Sequence, residues 1–291
     1  MKFAHSLGWL NGYSTLFDIE QNIWFSALSV HYIHSFGHKI DLYATKEYKF
    51  LMDIIDYDNF VEIQNDETIP SHVYSKFKMI ALRDMPLDTI HIDNDVMIEK
   101  KTAFDLISTS NADMTIQYAY CCDDAMNNDS VSCNNELINS ILYLMSCGIL
   151  NKFPEDLTSM NGGLYKFTNQ ELKDKIINNY FDFYHNNAYI INTVHCDNVL
   201  DNYGEEYQNY HIAVDNGYTV KSLCPMRSIT DTSELYDYYD DCIGFHHYYG
   251  LKGKYYHNIK YELNTVNFVA FNRVNEFLKG SANRFICNMA K

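Results

Sequence analysis

Asp88-Thr89-Ile90-His91-Ile92-Asp93-Asn94-Asp95-Val96-Met97-Ile98 is the stretch that decides the fold. Ile90 and Ile92 alternate with Thr89 and His91, the period-two pattern of a buried strand. The strand runs into two aspartates spaced i, i+2, and Val96-Met97-Ile98 resumes the apolar run. Carboxylates between buried strand segments are costly unless something neutralises them. A hard divalent cation with oxygen ligands, Mg²⁺ or Mn²⁺, does so and keeps positions open for water and for diphosphate oxygens. The stretch therefore reads as a strand end that holds a metal and a diphosphate. Asp-Asn-Asp is also ordinary turn chemistry, since these residues tolerate left-handed backbone and form Asx-turns. Its neighbours decide between the two.

Toward the amino terminus, apolar strands and amphipathic helices alternate. Lys2-Phe3-Ala4-His5-Ser6 reads as a first strand. Ile23, Trp24, Ala27, Leu28, Val30, Ile33 and Phe36 recur at helical spacing over residues 21–36, and Gly37 is a fitting stop. Lys39 to Ala44 reads as the next strand, and Thr45 as the N-cap of a helix over 46–56. Val61-Glu62-Ile63 reads as a short strand, and residues 73–83 as a helix with Phe77, Ile80 and Ala81 facing inward. This alternation predicts an α/β fold with a mixed, mostly parallel central sheet flanked by helices. In such sheets the ligand lies at the carboxyl ends of the strands, where Ser6, Thr45, Asp93 and Asp95 fall. A nucleotide base and ribose are expected beside His5, Ser6, Leu7 and Thr45.

Toward the carboxyl terminus, Met114 to Tyr118 reads as a further strand. Residues 121–133 are rich in Asp, Asn and Cys without periodicity and read as a loop, and Leu137 to Met145 is helical. Asn161-Gly162-Gly163 precedes an alternating strand, so the backbone must turn sharply or approach something closely there. Thr168 and Glu171 form a capping box for a helix to about residue 184. A polar segment follows with Asp197, Asp201, Glu205 and Glu206, then a strand over 218–223, an acidic, tyrosine-rich run over 231–241, and a terminal helix over 266–279. Between the last two lies Phe245-His246-His247-Tyr248-Tyr249-Gly250-Leu251-Lys252-Gly253-Lys254.

Composition narrows the function classes. The 291 residues carry a formal net charge of −16, which repels phosphate backbones and argues against nucleic acid as the main partner. Hydrophobic residues make up 47%, as in a globular chain. The eight cysteines show neither a C-x-x-C pair nor zinc spacing. With no secretory leader, reduced thiols and a cytoplasmic location are expected, the host's cytoplasm if the chain is viral. No run reaches the apolar length of a membrane span. The 25 Tyr and 17 Phe suit carbohydrate stacking as well as a core.

Three signals thus share one order along the chain: strand–D-x-D, Asn-Gly-Gly before a strand, and a late His with glycines and lysines. In this order the sequence resembles the GT-A glycosyltransferases over most of residues 1–255. The residues concerned are Leu28-Ser29-Val30, Lys76 in the helix before the aspartates, His91 to Val96, Asn161-Gly162-Gly163, and His247-Tyr248-Tyr249-Gly250 with Lys252. The last is similar to the late segment of retaining glycogenin- and galactosyltransferase-like families, although Gly253-Lys254 replaces the usual Pro-Trp. The resemblance implies a single GT-A, Rossmann-like domain over 1–291: a nucleotide-binding half over 1–110, a donor-sugar and acceptor half over 111–255, and a C-terminal helical extension over 256–291. It implies a UDP-sugar or other nucleoside-diphosphate sugar as donor, a glycan, protein or small molecule as acceptor, and Mn²⁺ or Mg²⁺ as cofactor. Asp93 and Asp95 would hold the metal with His247 or His246. Lys76, Asn94, Asn161, Gly162, Gly163 and Lys252 or Lys254 would meet the donor. Asn161, Glu205 and Glu206 join the aspartates as catalytic candidates, a glutamate serving as general base or positioning an acceptor hydroxyl. Gly244, Gly250 and Gly253 would let the late segment close as a lid. Retention against inversion stays open.

The runner-up enzyme is a nucleotidyltransferase making a nucleotide-sugar, which uses metal-binding aspartates on the same kind of sheet. Its usual basic glycine-rich loop is missing, because Ser6 to Tyr13 contains Gly8 and Gly12 but no Lys or Arg. A D-x-D phosphohydrolase fits less well, since Met97 stands where that family places a hydroxyl residue. The non-enzyme alternative is a glycan-binding protein on a decayed transferase scaffold.

Overall fold

The computed structural model describes residues 1–8, 16–69, 73, 75–120, 132–192, 200, 202–224, 238–240, 242–248 and 252–280. Its strands are β1 (Lys2–Leu7), β2 (Lys39–Ala44), β3 (Asn59–Glu62), β4 (Ile90–Ile92), β5 (Val96–Ile98), β6 (Met114–Ile116), β7 (Ala119–Tyr120), β8 (Ser159–Met160), β9 (Leu164–Phe167), β10 (Val220–Ser222), β11 (Tyr238–Asp240) and β12 (Phe245–His247). Its helices are α1 (Leu16–Ser35), α2 (Leu51–Ile54), α3 (Lys76–Asp84), α4 (Lys101–Thr109), α5 (Ser132–Ser146), α6 (Gln170–Asn192), α7 (Gln208–Asp215), α8 (Lys252–Val266) and α9 (Phe268–Lys279), with a π-helix over Asn202–Tyr207. The central sheet has seven strands in the order β10-β6-β9-β4-β1-β2-β3. β1/β2, β2/β3 and β10/β6 are parallel and β6/β9 is antiparallel. Helices flank it, as the alternation of the sequence predicts. Among the described residues no helix is long and apolar enough to cross a membrane.

The chain forms two compact units that interleave in sequence: Met1–Gln64, His91–Asp105 and Tyr236–Lys291 in one, Asn65–Ile90 and Leu106–Leu235 in the other. In unit one, the stripe read from the sequence is the buried face of α1, with Ile23, Trp24, Ala27, Leu28, Val30 and Ile33 all inside. Gly37 stops the helix in left-handed backbone, φ +76°, which a side chain would disfavour. The C-terminal helices share this core. Phe271 of α9 lies 5.4 Å from the Trp24 ring, and Lys260 Nζ of α8 sits 4.9 Å over the same ring.

Two local expectations are corrected. No single helix follows Thr45, whose side chain caps nothing: a 3-10 turn over Lys46–Tyr48 leads into the one-turn α2. The buried residues Tyr48, Leu51 and Ile54 recur every three positions, the 3-10 period and not the α period. At α6 the cap is Asn169, whose Oδ1 accepts from Leu172 N at 3.1 Å. Thr168 is still leaving β9 and donates to Ala112 O at 2.8 Å, while Glu171 pairs with Lys175 at 3.0 Å. The helix runs on to Asn192. Of the loop read over 121–133, residues 121–131 lie outside the described residues.

Unit two holds buried lysines at helix ends. Lys166 Nζ donates to Ile107 O at 3.1 Å and Ser110 O at 3.0 Å, closing the last carbonyls of α4. Lys173 Nζ does the same for α3 through Arg83 O and Met85 O. A cation at a helix carboxyl end meets both the unpaired carbonyls and the negative end of the helix dipole.

Candidate metal centre and a buried acid pair

The aspartates are placed by two strands and a turn in unit one. The chain leaves β4 at Asp93, turns with Val96 N donating to Asp93 O at 3.0 Å, and enters β5. β5 pairs antiparallel with β12, so that Val96 faces His247, Met97 faces His246 and Ile98 faces Phe245. Tyr248 N donates to Asp95 O at 3.2 Å and extends the pairing toward the turn. This register brings one ligand atom each from Asp93, Asp95 and His247 to within 4.8 Å of one another. His247 Nε2 lies 3.4 Å from Asp95 Oδ1. Asp95 and His247 are buried and Asp93 is the more exposed member. Two carboxylate oxygens and an imidazole nitrogen fit a divalent cation such as Mn²⁺ or Mg²⁺, and three protein donors leave positions for other oxygens.

The strand also separates the two histidines, because successive side chains leave opposite faces. His246 is not in the group: its ring stacks on Tyr248 at 3.7 Å, and its Nδ1 lies 3.8 Å from Glu99. The lid expectation is corrected here too. Residues 245–247 are a paired strand and residues 252 onward a helix. Gly244 serves the turn before β12, with φ +68° and an added Cβ only 2.3 Å from Lys100 Cγ. Gly250 lies outside the described residues, and Gly253 is in the first turn of α8. Lys252 opens α8, while Lys254 is exposed with Nζ 5.2 Å from the Tyr255 ring.

Several residues expected at the nucleotide turn inward. Asn94 Nδ2 donates to Asn22 Oδ1 at 3.2 Å and Ser26 Oγ at 3.3 Å, tying the turn to α1. His5 is fully buried. Its Nδ1 bonds Tyr57 OH at 2.8 Å and its Nε2 bonds Ser29 Oγ at 3.1 Å. Ser29 in turn donates to Val96 O at 2.8 Å. His5 is therefore an interior strut from β1 through α1 to β5 and presents neither ring nitrogen to a ligand. The sequence pattern of a strand end could not separate this from a ligand-facing histidine, since both sit at alternating positions. Ser6 Oγ bonds His91 Nε2 at 2.8 Å. Thr45 N donates to Leu7 O at 3.2 Å, and Thr45 Oγ1 is buried without a hydrogen-bond partner among the described residues.

In unit two a different acid group forms. Glu205 and Glu206 lie on the π-helix, all six residues of which are buried. Glu205 Oε1 lies 2.7 Å from Lys78 Nζ. Glu206 Oε2 accepts from Tyr120 OH at 2.7 Å and its Oε1 from Gly162 N at 3.4 Å. Burial, and next the charge of Glu205, push the Glu206 carboxyl up to about 8. Asn161-Gly162-Gly163 is the turn between β8 and β9. Asn161 Oδ1 accepts from Gly163 N at 2.9 Å, an Asx-turn that commits this side-chain oxygen. The close approach expected at the glycines is internal: a Cβ on Gly162 would lie 2.2 Å from Glu205 Oε1.

Lys76 is not at this group. It is buried, with Nζ donating to Ile69 O at 3.3 Å and lying 5.1 Å over the Phe77 ring. Burial lowers its ammonium to about 8. The lysine at the acid pair is Lys78, which sequence reading missed. Two residues apart on a helix means opposite sides, but nothing in Lys76-Phe77-Lys78-Met79 says which side meets the acids. The signal for burial of the acids was their setting among Tyr203, Tyr207 and Tyr210.

No protein-family model matches the chain, and no curated protein matches it. Among solved structures it is similar to the galactosyltransferase LgtC in complex with donor and acceptor sugar analogs, at 10% identity over 76% of this chain and 73% of that one, TM-score 0.40. It is also similar to the glycosyltransferase GlyE of Streptococcus pneumoniae, at 11% identity over 96% of this chain and 64% of that one, TM-score 0.36. Overlays this loose say nothing of activity, which lives in sites and not in folds.

Proposed function

We propose that the chain is a divalent-metal-dependent glycosyltransferase that uses a nucleoside-diphosphate sugar, a UDP-sugar first among them, and transfers the sugar to a glycan, protein or small acceptor. One observation carries this: Asp93, Asp95 and His247 offer three ligand atoms within 4.8 Å where β4 ends and β5 and β12 pair. A divalent ion bound there would neutralise the charge that builds on a departing nucleoside diphosphate. The chain's own contribution is positional. The β5/β12 pairing fixes His247, the Asn94 anchor to α1 fixes the turn, and Asp93 is the carboxylate most open to incoming oxygens. In unit two, Glu205 and Glu206 are the groups assigned to the acceptor hydroxyl, Glu205 paired with Lys78 at 2.7 Å and able to orient that hydroxyl or take its proton. Gly162 and Gly163 are the backbone assigned to the sugar.

A screen of nucleotide-sugars for released nucleoside diphosphate, with Mn²⁺ and Mg²⁺ in turn, tests the proposal. Release that needs the metal supports it. Thermal stabilisation by UDP with Mn²⁺ supports the donor class by mass action. Stabilisation by a nucleoside triphosphate alone points to a nucleotidyltransferase, and indifference to every nucleotide ends the proposal.

A further inference from the structure

Lys78 joins two parts of unit two. Its Nζ lies 2.7 Å from Glu205 Oε1 and donates to Gly162 O at 3.0 Å. One largely buried ammonium therefore ties the π-helix to the turn before β9. The same glycine is held from its other end, because Gly162 N donates to Glu206 Oε1 at 3.4 Å. Glu206 at its N–H and Lys78 at its C=O thus hold the glycine from the peptide unit on each side of it. There is no slack at the contact, since a methyl group at 162 would overlap Glu205. Hydroxyls also face the acids: Tyr120 OH on Glu206 at 2.7 Å, and Tyr165 OH 3.5 Å from Glu205 O and Oε1. Hydroxyls and a peptide N–H carry no charge. Lys78 is the cation that the structure sets against this buried carboxylate pair, and removing such a partner leaves a buried charge uncompensated.

We propose that Lys78 is a positioning residue that holds Glu205 and the Asn161–Gly163 turn in the one arrangement in which Glu205 serves the acceptor hydroxyl. The role of Glu205 in that sentence rests on the glycosyltransferase reading, whereas the hold on Glu205 and the turn does not. Without the ammonium, two carboxyls share a site that keeps Tyr120, Tyr165 and the Gly162 amide but has lost the cation at 2.7 Å. The pair then keeps protons to higher pH, and the turn loses the donor at its carbonyl.

Three proteins test this: the wild type, Lys78→Met, which keeps chain length and apolar packing, and Lys78→Arg, which keeps the charge. Lys78→Gln replaces the methionine variant if that one fails to fold. Nucleoside diphosphate release gives kcat and KM against pH, UDP–Mn²⁺ binding is followed separately, and the glutamate carboxyls are titrated by NMR after ¹³C labelling. Lys78→Met is expected to bind UDP–Mn²⁺ as the wild type does and to lose about tenfold to a hundredfold in kcat. Its pH–rate profile and carboxyl titration move to higher pH, and Lys78→Arg restores most of both. A wild-type kcat and unmoved profile in Lys78→Met overturns the proposal, as does an arginine variant no better than the methionine one. If the wild type turns over no nucleotide-sugar, the activity reading falls by itself. The hold by Lys78 is then judged by the carboxyl titration alone, where a shift in Lys78→Met reversed in Lys78→Arg sustains it and an unmoved titration overturns it.

Discussion

Each compact unit holds a pair of neighbouring acids, and the two pairs are made tolerable in different ways. Glu205 has an ammonium at 2.7 Å, and Glu206 keeps its proton to about pH 8 while hydroxyl and amide donors meet its oxygens. That pair is balanced by the chain itself. Asp93 and Asp95 instead share their turn with an imidazole, and their ligand atoms face a common point with that of His247. Acids balanced from within serve as scaffold or as proton-handling groups. Acids arranged around a common point with an imidazole nitrogen can be completed by a cation from solution. The contrast lies in what surrounds the carboxylates and in the openness of Asp93, not in their number.

The largest effect expected from this contrast is at Asp95. Asp95→Asn nearly keeps size and removes one charged ligand, so nucleoside diphosphate release should fall by about a hundredfold or more while the fold is kept. Wild-type turnover in that variant, assayed with Mn²⁺, would erase the distinction between the two pairs.

Next is Glu206. Its carboxyl titrates at about 8 in the folded chain against 4.5 in the ordinary state. Between those values the folded chain holds a proton that the unfolded chain has released, so stability falls as pH rises through that window. The loss is on the order of a few kcal/mol. Glu206→Gln should flatten the dependence, and thermal melts from about pH 5 to about pH 8.5 read it directly. Lys76 gives the opposite sign in the next window. With its ammonium lowered from 10.5 to about 8, the unfolded chain binds the extra proton there, and stability rises with pH over that range. Lys76→Met should remove that rise.

The two histidines sharpen the comparison further. His247→Ala should weaken Mn²⁺-dependent UDP binding by about tenfold to a hundredfold, and His246→Ala should leave it within about twofold, less than the ~1.4 kcal/mol that a tenfold change represents. Equal losses by titration calorimetry would break the assignment. The smallest effect is expected at Asn94, whose side chain anchors the Asp93–Asp95 turn to α1 through Asn22 and Ser26. Asn94→Ala should cost about 1 kcal/mol of stability in denaturant melts, with a small rise in KM for the donor as the turn loses its anchor.

The sequence made the Asp93–Asp95 pair legible because strand periodicity and carboxylate spacing are local signals. Ile90, Ile92 and the aspartates announce themselves within eight residues. His247 was legible only as one of two, since choosing it needs the β5/β12 register, which joins residues some 150 positions apart. The Glu205 setting was less legible still. Its meaning comes from Lys78, Tyr120 and Gly162, three residues from separate elements, and no spacing encodes such a meeting. His5 misled for the same reason: its position on β1 is local information, and the partners that bury it, Tyr57 and Ser29, are not.

The fit of Gly162 against Glu205 also bears on how this chain can change over generations. A side chain at 162 forces the Glu205 carboxylate to move, because the first added carbon would land 2.2 Å from its oxygen. Shortening 205 to aspartate withdraws that oxygen by about one methylene and opens the space, but takes the carboxylate away from Lys78. Each single step therefore disturbs the Glu205–Lys78 pair, and Gly162→Ala is better accommodated on a background that already carries Glu205→Asp. Drift at the two positions is coupled, and the order of substitution is set by one interatomic distance.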